Sequence, residues 1–470
     1  MQRRAPALPN LARLLGCAIA SNGDAAAASL KFVTASPSLT NDIGLGPFRV
    51  RLTVDPDLAR RLLVTEAEQS CKVAMEHHVL APVMQDGLIL LEGDEWSRRR
   101  QAVASAFASD LMPDVLETTR RAVRARIAAW HDIVNISQEA RCIVYDVMLR
   151  FFGGGVPVGE CPGELGPDAY GRNFALAERA LERRIWDPLS VGERLRRIFR
   201  LPSGLAPDAE WRRPLRRRVS GHPRKEGSRD ALARLCTRLP SDAVVYQELT
   251  TEIAAGATSI HHLSWTCQLL AMHPNVQARL VDEIDSRLRS GTASAEDELV
   301  DMESAPYLTA VVKESLRLYP PAPFLYRRGE DPSPVVVSIW GMHRHPRFWE
   351  KPDEFMPERW LGVSVDPRAY MPFGLGPRVC IGRRFALIES RAALVEILRQ
   401  WKLNSAVPLP RPRLYIMTRP ARDILVRVEA LPNRRSHVLP VLAVRTRVAC
   451  SAARTAVNAS DHQASQKGVE

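Results

Sequence analysis

Along this chain apolar residues return mostly with a helical period. Residues 94–150 carry it in two blocks, and residues 243–273 form the longest run, closed by Pro274. Further helices are predicted over 306–318, stopped by Pro320-Pro321, and over 382–403. Strand patterns are shorter. Residues 47–53 (Pro-Phe-Arg-Val-Arg-Leu-Thr) alternate apolar and polar, residues 334–340 read as a buried strand, and residues 413–430 alternate as one or two strands. Asp55 caps a predicted helix from Pro56 to Leu63 with proline at its first position. The fold class that follows is mainly α with small β-sheets.

The pattern fades in several places. Residues 1–45 are rich in Ala, Ser and Pro and read as a loose N-terminal arm. Residues 153–170 hold six glycines and three prolines, a loop by composition. Residues 181–230 carry 14 basic and 7 acidic residues broken by five prolines, which predicts short helices and loops. Residues 346–379 are Pro- and Gly-rich and irregular. Residues 433–470 are rich in Ala, Ser and Arg without a packing pattern. The organisation expected is an arm over 1–45, one domain over 46–430 and a disordered tail over 431–470.

Composition narrows the class. Of 470 residues, 46% are apolar and 25% charged, which excludes a wholly disordered or fibrous chain and leaves room for a core that encloses a cofactor. Sixty-five Lys and Arg against 53 Asp and Glu give a net charge of +12. Such a surplus attracts anionic partners, but a nucleic-acid role rests on charge alone, and solvated arginine-rich faces explain it as well. Eight scattered cysteines with no CxxC pair suit a reduced, cytoplasmic protein. No stretch approaches the roughly 18 apolar residues of a membrane span. The nearest candidate, Leu14 to Ala20, is too short, so no transmembrane anchor is expected.

The strongest chemical signal is Phe373-Gly-Leu-Gly-Pro-Arg-Val-Cys-Ile-Gly382. Cys380 sits in a glycine-rich turn followed at once by a predicted helix. Backbone N–H groups and the helix N-terminus stabilise negative sulfur there, and Arg378 adds positive charge. A phosphate-cradling GxGxxG would need glycine where Val379 stands, and Pro377 removes a donor. A nucleophilic cysteine would need a positioned histidine and an oxyanion hole. A lone thiolate without Cys or His partners cannot build a zinc site, but it can be the axial ligand of heme iron, whose porphyrin supplies four donors.

On these residues the chain resembles the cytochrome P450 family. The family's heme loop FxxGxRxCxG is matched by Phe373, Gly376, Arg378, Cys380 and Gly382. Trp96-Ser-Arg-Arg-Arg100 matches WxxxR, Glu314-Ser-Leu-Arg317 matches ExxR, and Pro357-Glu-Arg-Trp360 is similar to the family's PERF meander. His343-Arg-His-Pro346 and Ala271-Met-His-Pro274 also sit where relatives carry similar strings, so the resemblance spans roughly residues 45–430. It implies the cytochrome P450 fold and heme b (iron-protoporphyrin IX) with Cys380 as axial thiolate. Trp96, Arg100, Arg378 and Arg327 would hold the propionates, and Glu314, Arg317 and Arg359 would form a buried trio that fixes the meander. Phe373 and Gly382 would frame the ligand loop. The family's distal threonine falls at Thr258. The implied reaction inserts one atom of O2 into a C–H or C=C bond of a small apolar substrate. Its electrons come from a separate ferredoxin or flavodoxin-type donor, which would dock on a basic face that includes Arg383 and Arg384. Phe324 and Leu325 are pocket-lining candidates.

Three departures stand out. The residue before Thr258, normally Asp or Glu, is Ala257, and the family's glycine position holds Ala255 with Gly256 one place later. That motivates a second reading, a heme-thiolate enzyme that uses peroxide or rearranges its substrate; Thr258, Ser259 and ordered water remain a possible relay. After Arg328 the usual hairpin is replaced by Gly329-Glu-Asp-Pro-Ser-Pro334 running into Val335, which predicts lost sheet pairing beside the heme. With the unusual tail, this motivates a third reading, a degenerate non-catalytic relative. The adjacent His261 and His262 point about 100° apart on a helix and do not chelate one metal.

Overall fold

The second half of the run 243–273 carries Ile260, Leu263, Trp265, Leu269 and Leu270, apolar side chains on more than one face of a helix, which places that stretch inside the protein. In the computed structural model every residue from Ser259 to Ala271 is buried. The structure describes residues 25–45, 48–154, 166–186, 213–220, 222–225, 227–288, 294–328, 333–362 and 365–431.

The helices of ten residues or more are α1 (Ala25–Thr34), α2 (Ala74–Met84), α3 (Gly93–Ala104), α4 (Met112–Ile127), α5 (Ile136–Phe151), α6 (Pro167–Trp186), α7 (Asp242–Ala255), α8 (Ala257–Met272), α9 (Pro274–Arg287), α10 (Ala295–Ser304), α11 (Pro306–Leu318) and α12 (Arg383–Gln400). The strands are β1 (Thr40–Leu45), β2 (Phe48–Thr53), β3 (Ile133–Asn135), β4 (Phe324–Arg327), β5 (Val335–Ser338), β6 (Trp401–Ser405), β7 (Pro412–Leu414), β8 (Thr418–Pro420) and β9 (Leu425–Ala430). This is the mainly helical architecture with small sheets that the sequence predicts.

Local chemistry explains the element ends. Ser241 caps α7 by accepting from the Val244 N–H, and Asn135 caps α5 by accepting from that of Gln138. Asp55 accepts from the Asp57 N–H, and Pro56 opens the short helix Pro56–Arg60. Around the central pair α7 and α8 pack α5, α11 and α12. Trp265 of α8 stacks on Tyr319 just past α11, with ring centroids 4.0 Å apart and planes 9° apart. Its indole N–H donates to the Thr418 carbonyl at 3.0 Å, so the second half of the helix is tied to the β7–β8 hairpin.

The sheets are small. One has the order β1-β2-β5-β4, with β2 and β5 parallel; β3-β9-β6 form a second and β7-β8 a third. The pairing expected to be lost after Arg328 is present. β4 pairs directly with β5, Phe324 opposite Ser338 and Arg327 opposite Val335. The β-branched run Val335-Val-Val supplies an inner strand even across a shortened connection.

Other expectations need adjusting. The run 243–273 is interrupted at Gly256, and residues 94–150 form three helices with β3 between the last two. The helix over 382–403 stops at Gln400, because Trp401–Ser405 pair with β9. Residues 25–45 are not a loose arm. Phe32 and Val33 of α1 are buried against Val54, Val337 and Ile339, and β1 pairs along its length with β2. The expectations for residues 1–24 and 432–470 lie outside the described residues. The described residues up to Ala430 form one unit.

Candidate functional site

The turn that carries Cys380 is set by its glycines. Gly374 and Gly376 hold φ of 73° and 72°, a region that L side chains avoid. A Cβ at Gly376 would also lie 2.0 Å from the Leu63 carbonyl oxygen. Cys380 donates its N–H to the Phe373 carbonyl at 3.0 Å and Val379 to that of Gly376 at 3.0 Å, which closes the turn just before α12. Cys380 is exposed as a residue. Protein still crowds its sulfur enough that burial pushes the thiol up to about 11, against the opposing pull of the Gly382 N–H, Arg100 and Arg383. The stabilisation of negative sulfur expected from the turn is thus opposed by burial, and a coordinated cation would favour the thiolate.

Three arginines gather beside this turn. Trp96 and Arg100 lie on α3. The Arg378 guanidinium sits 4.3 Å and that of Arg100 5.6 Å from the Trp96 ring centroid, so one indole carries both. Arg100 donates to the Val379 carbonyl at 2.7 Å and Arg378 to that of Leu91 at 2.8 Å. Arg327, at the end of β4, is 8% exposed and donates to the Tyr326 carbonyl. Among the described residues none of the three meets a carboxylate at ion-pair distance, and burial lowers the proton affinity of each. Buried cations without counterions are unfavourable.

These observations form a fit test. Among the described residues no group of three or more His, Cys, Asp or Glu could hold a metal together. A metal on Cys380 must bring its other donors, and an anionic edge would satisfy the arginines. Heme meets both conditions.

Behind the turn lies the trio expected from the sequence. Glu314 and Arg317 are fully buried. Arg317 donates to both oxygens of Glu314 at 2.8 and 2.9 Å, and Arg359 adds a bond of 3.0 Å. The structure adds Trp360, whose indole donates to Glu314 at 2.9 Å, and the Met356 N–H at 3.1 Å. Arg317 also donates to the carbonyls of His343 and Pro352 at 2.8 and 2.6 Å. His343 accepts from the Met371 N–H at 3.0 Å, two residues before Phe373. The chain thus runs from α11 through the meander to the cysteine turn.

On the other side, Thr258 opens α8 just after the break at Gly256, and its hydroxyl donates back to the Ala255 carbonyl at 2.9 Å. Ala257 is buried and brings no acid. Sequence reasoning gave no role to Glu252 of α7. Its carboxyl is pushed up to about 8 by burial and by Glu248, with Arg100 opposing. The visible signal was a pair of acids, Glu248 and Glu252, one helical turn apart within the run 243–273.

The structure also locates two residue pairs singled out in the sequence. His261 Nε2 is 3.6 Å from Glu178 Oε1, whereas neither ring nitrogen of the buried His262 has a hydrogen-bond partner among the described residues, so the pair shares no ligand. Of the basic pair proposed for donor docking, Arg383 and Arg384 are both exposed, but Arg384 is already held by Glu303 at 3.0 Å.

Comparison with known proteins agrees with this geometry. The cytochrome P450 family profile matches residues 220–425. The taurochenodeoxycholic 6 alpha-hydroxylase of Sus scrofa is 28% identical over 76% of this chain and 78% of that protein. Cytochrome P450 4X1 of Mus musculus is 26% identical over 82% and 83% of the two chains. Cytochrome P450 3A13 of Mus musculus is 37% identical, over 39% of this chain and 40% of its own length.

Proposed function

Because the chain belongs to the cytochrome P450 family, whose general activity is heme-thiolate monooxygenation, we propose that it inserts one oxygen atom from O2 into an apolar organic substrate, by C–H hydroxylation or epoxidation. The observation that carries this reading is the exposed residue Cys380 beside three arginines that meet no carboxylate at ion-pair distance among the described residues. The balance is one O2, two electrons and two protons per substrate, giving oxygenated product and water. The electrons come from a separate donor protein of ferredoxin or flavodoxin type. The porcine relative, a hydroxylase by name, supports C–H chemistry.

When bound, heme b supplies the iron that activates dioxygen. The protein's own residues do the rest. Cys380 would ligate the iron, and Arg100, Arg327 and Arg378 would hold the carboxylate edge. Glu314, Arg317, Arg359 and Trp360 keep the meander and the cysteine turn in register. Thr258, whose hydroxyl lies at the helix break, would pass a proton. Phe324 and Leu325 of β4 present apolar surface next to the turn, with Leu325 near Gly374.

No helix among the described residues is long and apolar enough to cross a membrane, which suits the cytoplasmic location we favour. Ala257 favours a second reading, oxygen transfer from peroxide or substrate rearrangement. The deciding experiment is the absorption spectrum of the reduced, carbon-monoxide-bound protein, which takes the red-shifted Soret band only with a thiolate ligand. Turnover with NAD(P)H and a ferredoxin system, compared with turnover with peroxide, then separates the two readings.

A further inference from the structure

We propose that Glu252 of α7 is the proton donor of the oxygen-activating site, in the role that Ala257 leaves vacant. The proposal rests on the monooxygenase reading above. From Glu248 to Ala271 every residue is buried except Ala255, which is exposed, and Thr258, which is half-buried. These two residues mark where the central helices face open space, and Thr258 is tied to Ala255 by its hydroxyl at 2.9 Å. Glu252, Ala255 and Thr258 follow at three-residue spacing, which on a helix sets them on successive turns of one side. Glu252 thus stands one turn ahead of the opening.

Its surroundings favour the neutral acid. Glu252 is 6% exposed, and its carboxyl has no hydrogen-bond partner among the described residues. Glu248, one turn earlier, differs: its oxygens accept from Arg99 at 2.7 Å and from the Leu88 N–H at 3.1 Å. Two buried carboxyls so close resist ionising together, and only Glu248 has donors for an anion, so the proton that the pair keeps sits on Glu252. Burial and Glu248 push the Glu252 carboxyl up to about 8, with Arg100 opposing. Its charge in turn acts on Arg100 and on Cys380, although it bonds to neither. Further charged groups on elements packed against α7 act elsewhere: Glu76 of α2 on Lys72 and Arg327, Asp146 of α5 on Arg150, Arg216 on the Tyr246 ring, Arg234 on Asp110 and His261 of α8 on Glu178. The Glu252 O–H supplies one of the two protons in the balance above, through water to the Thr258 hydroxyl, and the carboxylate left behind regains a proton from solvent.

The test compares wild type with Glu252→Gln, which keeps the shape of the neutral carboxyl. As pH rises through about 8, the infrared spectrum of wild type is expected to lose the C=O band of a protonated carboxyl, a loss that Glu252→Gln lacks. Glu389 titrates in the same range and contributes equally to both proteins. This readout needs no heme. In the heme-loaded protein, with NAD(P)H and a ferredoxin system, Glu252→Gln is expected to form product about a hundredfold more slowly, and Glu252→Asp, which keeps an acid, to recover part of the rate. The loss is expected to be much smaller with hydrogen peroxide, which brings both protons itself. Identical infrared titrations of wild type and Glu252→Gln overturn the assignment. So does unchanged O2-supported turnover, and so does an equal loss with peroxide, which would mark a packing role. Loss of heme from Glu252→Gln would instead make Glu252 the counterion of Arg100. A wild-type protein that takes up no heme with a thiolate spectrum overturns the functional reading, whereas the infrared titration still shows whether Glu252 holds the proton.

Discussion

Replacing Glu314 with glutamine keeps the shape of the side chain and removes its charge. The carboxylate is fully buried and receives bonds from Arg317 twice, and from Arg359, Trp360 and the Met356 N–H. One oxygen takes three of these and the other two, so an amide NH2 at either position faces at least two donors with nothing to accept. Arg317 retains carbonyl partners at His343, Pro352 and Glu354, and Arg359 retains those of Glu350 and Lys351. Dipoles remain, but the counterion is gone. Removing one partner of a buried ion pair costs about 3–5 kcal/mol, against a total stability of about 5–15 kcal/mol for a typical protein. The Glu314→Gln protein is therefore expected to unfold at much lower urea concentration and to lose heme readily. The urea midpoint and the reduced carbon-monoxide Soret amplitude read both effects. Arg359→Gln provides the cycle: costly in wild type, it should be close to neutral once Glu314 is neutral, with a coupling above about 1 kcal/mol. A Glu314→Gln loss below about 1 kcal/mol, with additive single effects, would refute the argument that this carboxylate neutralises both guanidinium groups.

Gly376→Ala is expected to destabilise the cysteine turn by more than about 2 kcal/mol, because both the φ of 72° and the 2.0 Å approach to the Leu63 carbonyl oppose a side chain; a thermal midpoint equal to wild type would count against it. Arg100→Met and Arg378→Met should each weaken heme retention by about 1.5–3 kcal/mol without changing the band position of the remaining thiolate-ligated heme, and a shifted band would show a changed ligand instead. Buried Glu389 has its carboxyl pushed up to about 8, so the folded protein keeps that proton above the usual carboxylate range. Its contribution is present at low pH and lost as pH rises from about 4.5 to about 8, so Glu389→Gln should gain on wild type by up to about 1.4 kcal/mol per pH unit there. Buried His262, lowered to about 4, has the opposite sign: wild type loses stability as pH falls below about 6.5, and His262→Leu should gain on it by a similar slope down to about 4. Parallel pH profiles for the variant and wild type would remove either claim.

The chemistry of the site was legible because it is local. Gly374 and Gly376 around Cys380 announce a turn that other residues cannot make, and Glu314 with Arg317, or Trp96 with Arg100, lie one helical turn apart, so spacing alone puts each pair on one face. The long apolar run ending at Pro274 likewise revealed the buried central helix, since periodicity is a property of neighbours in the chain. What stayed hidden depends on distant parts of the chain meeting. Trp360 meets Glu314 from 46 residues away, and Cys71 bridges to Arg328 across most of the chain. Phe32 belongs to a core that its own segment does not suggest. The pairing of β4 with β5 across a shortened connection, and the burial that raises the Cys380 thiol, follow from which surfaces exclude water together. Desolvation and long-range pairing are sums over the assembled fold, and no window of sequence contains the terms.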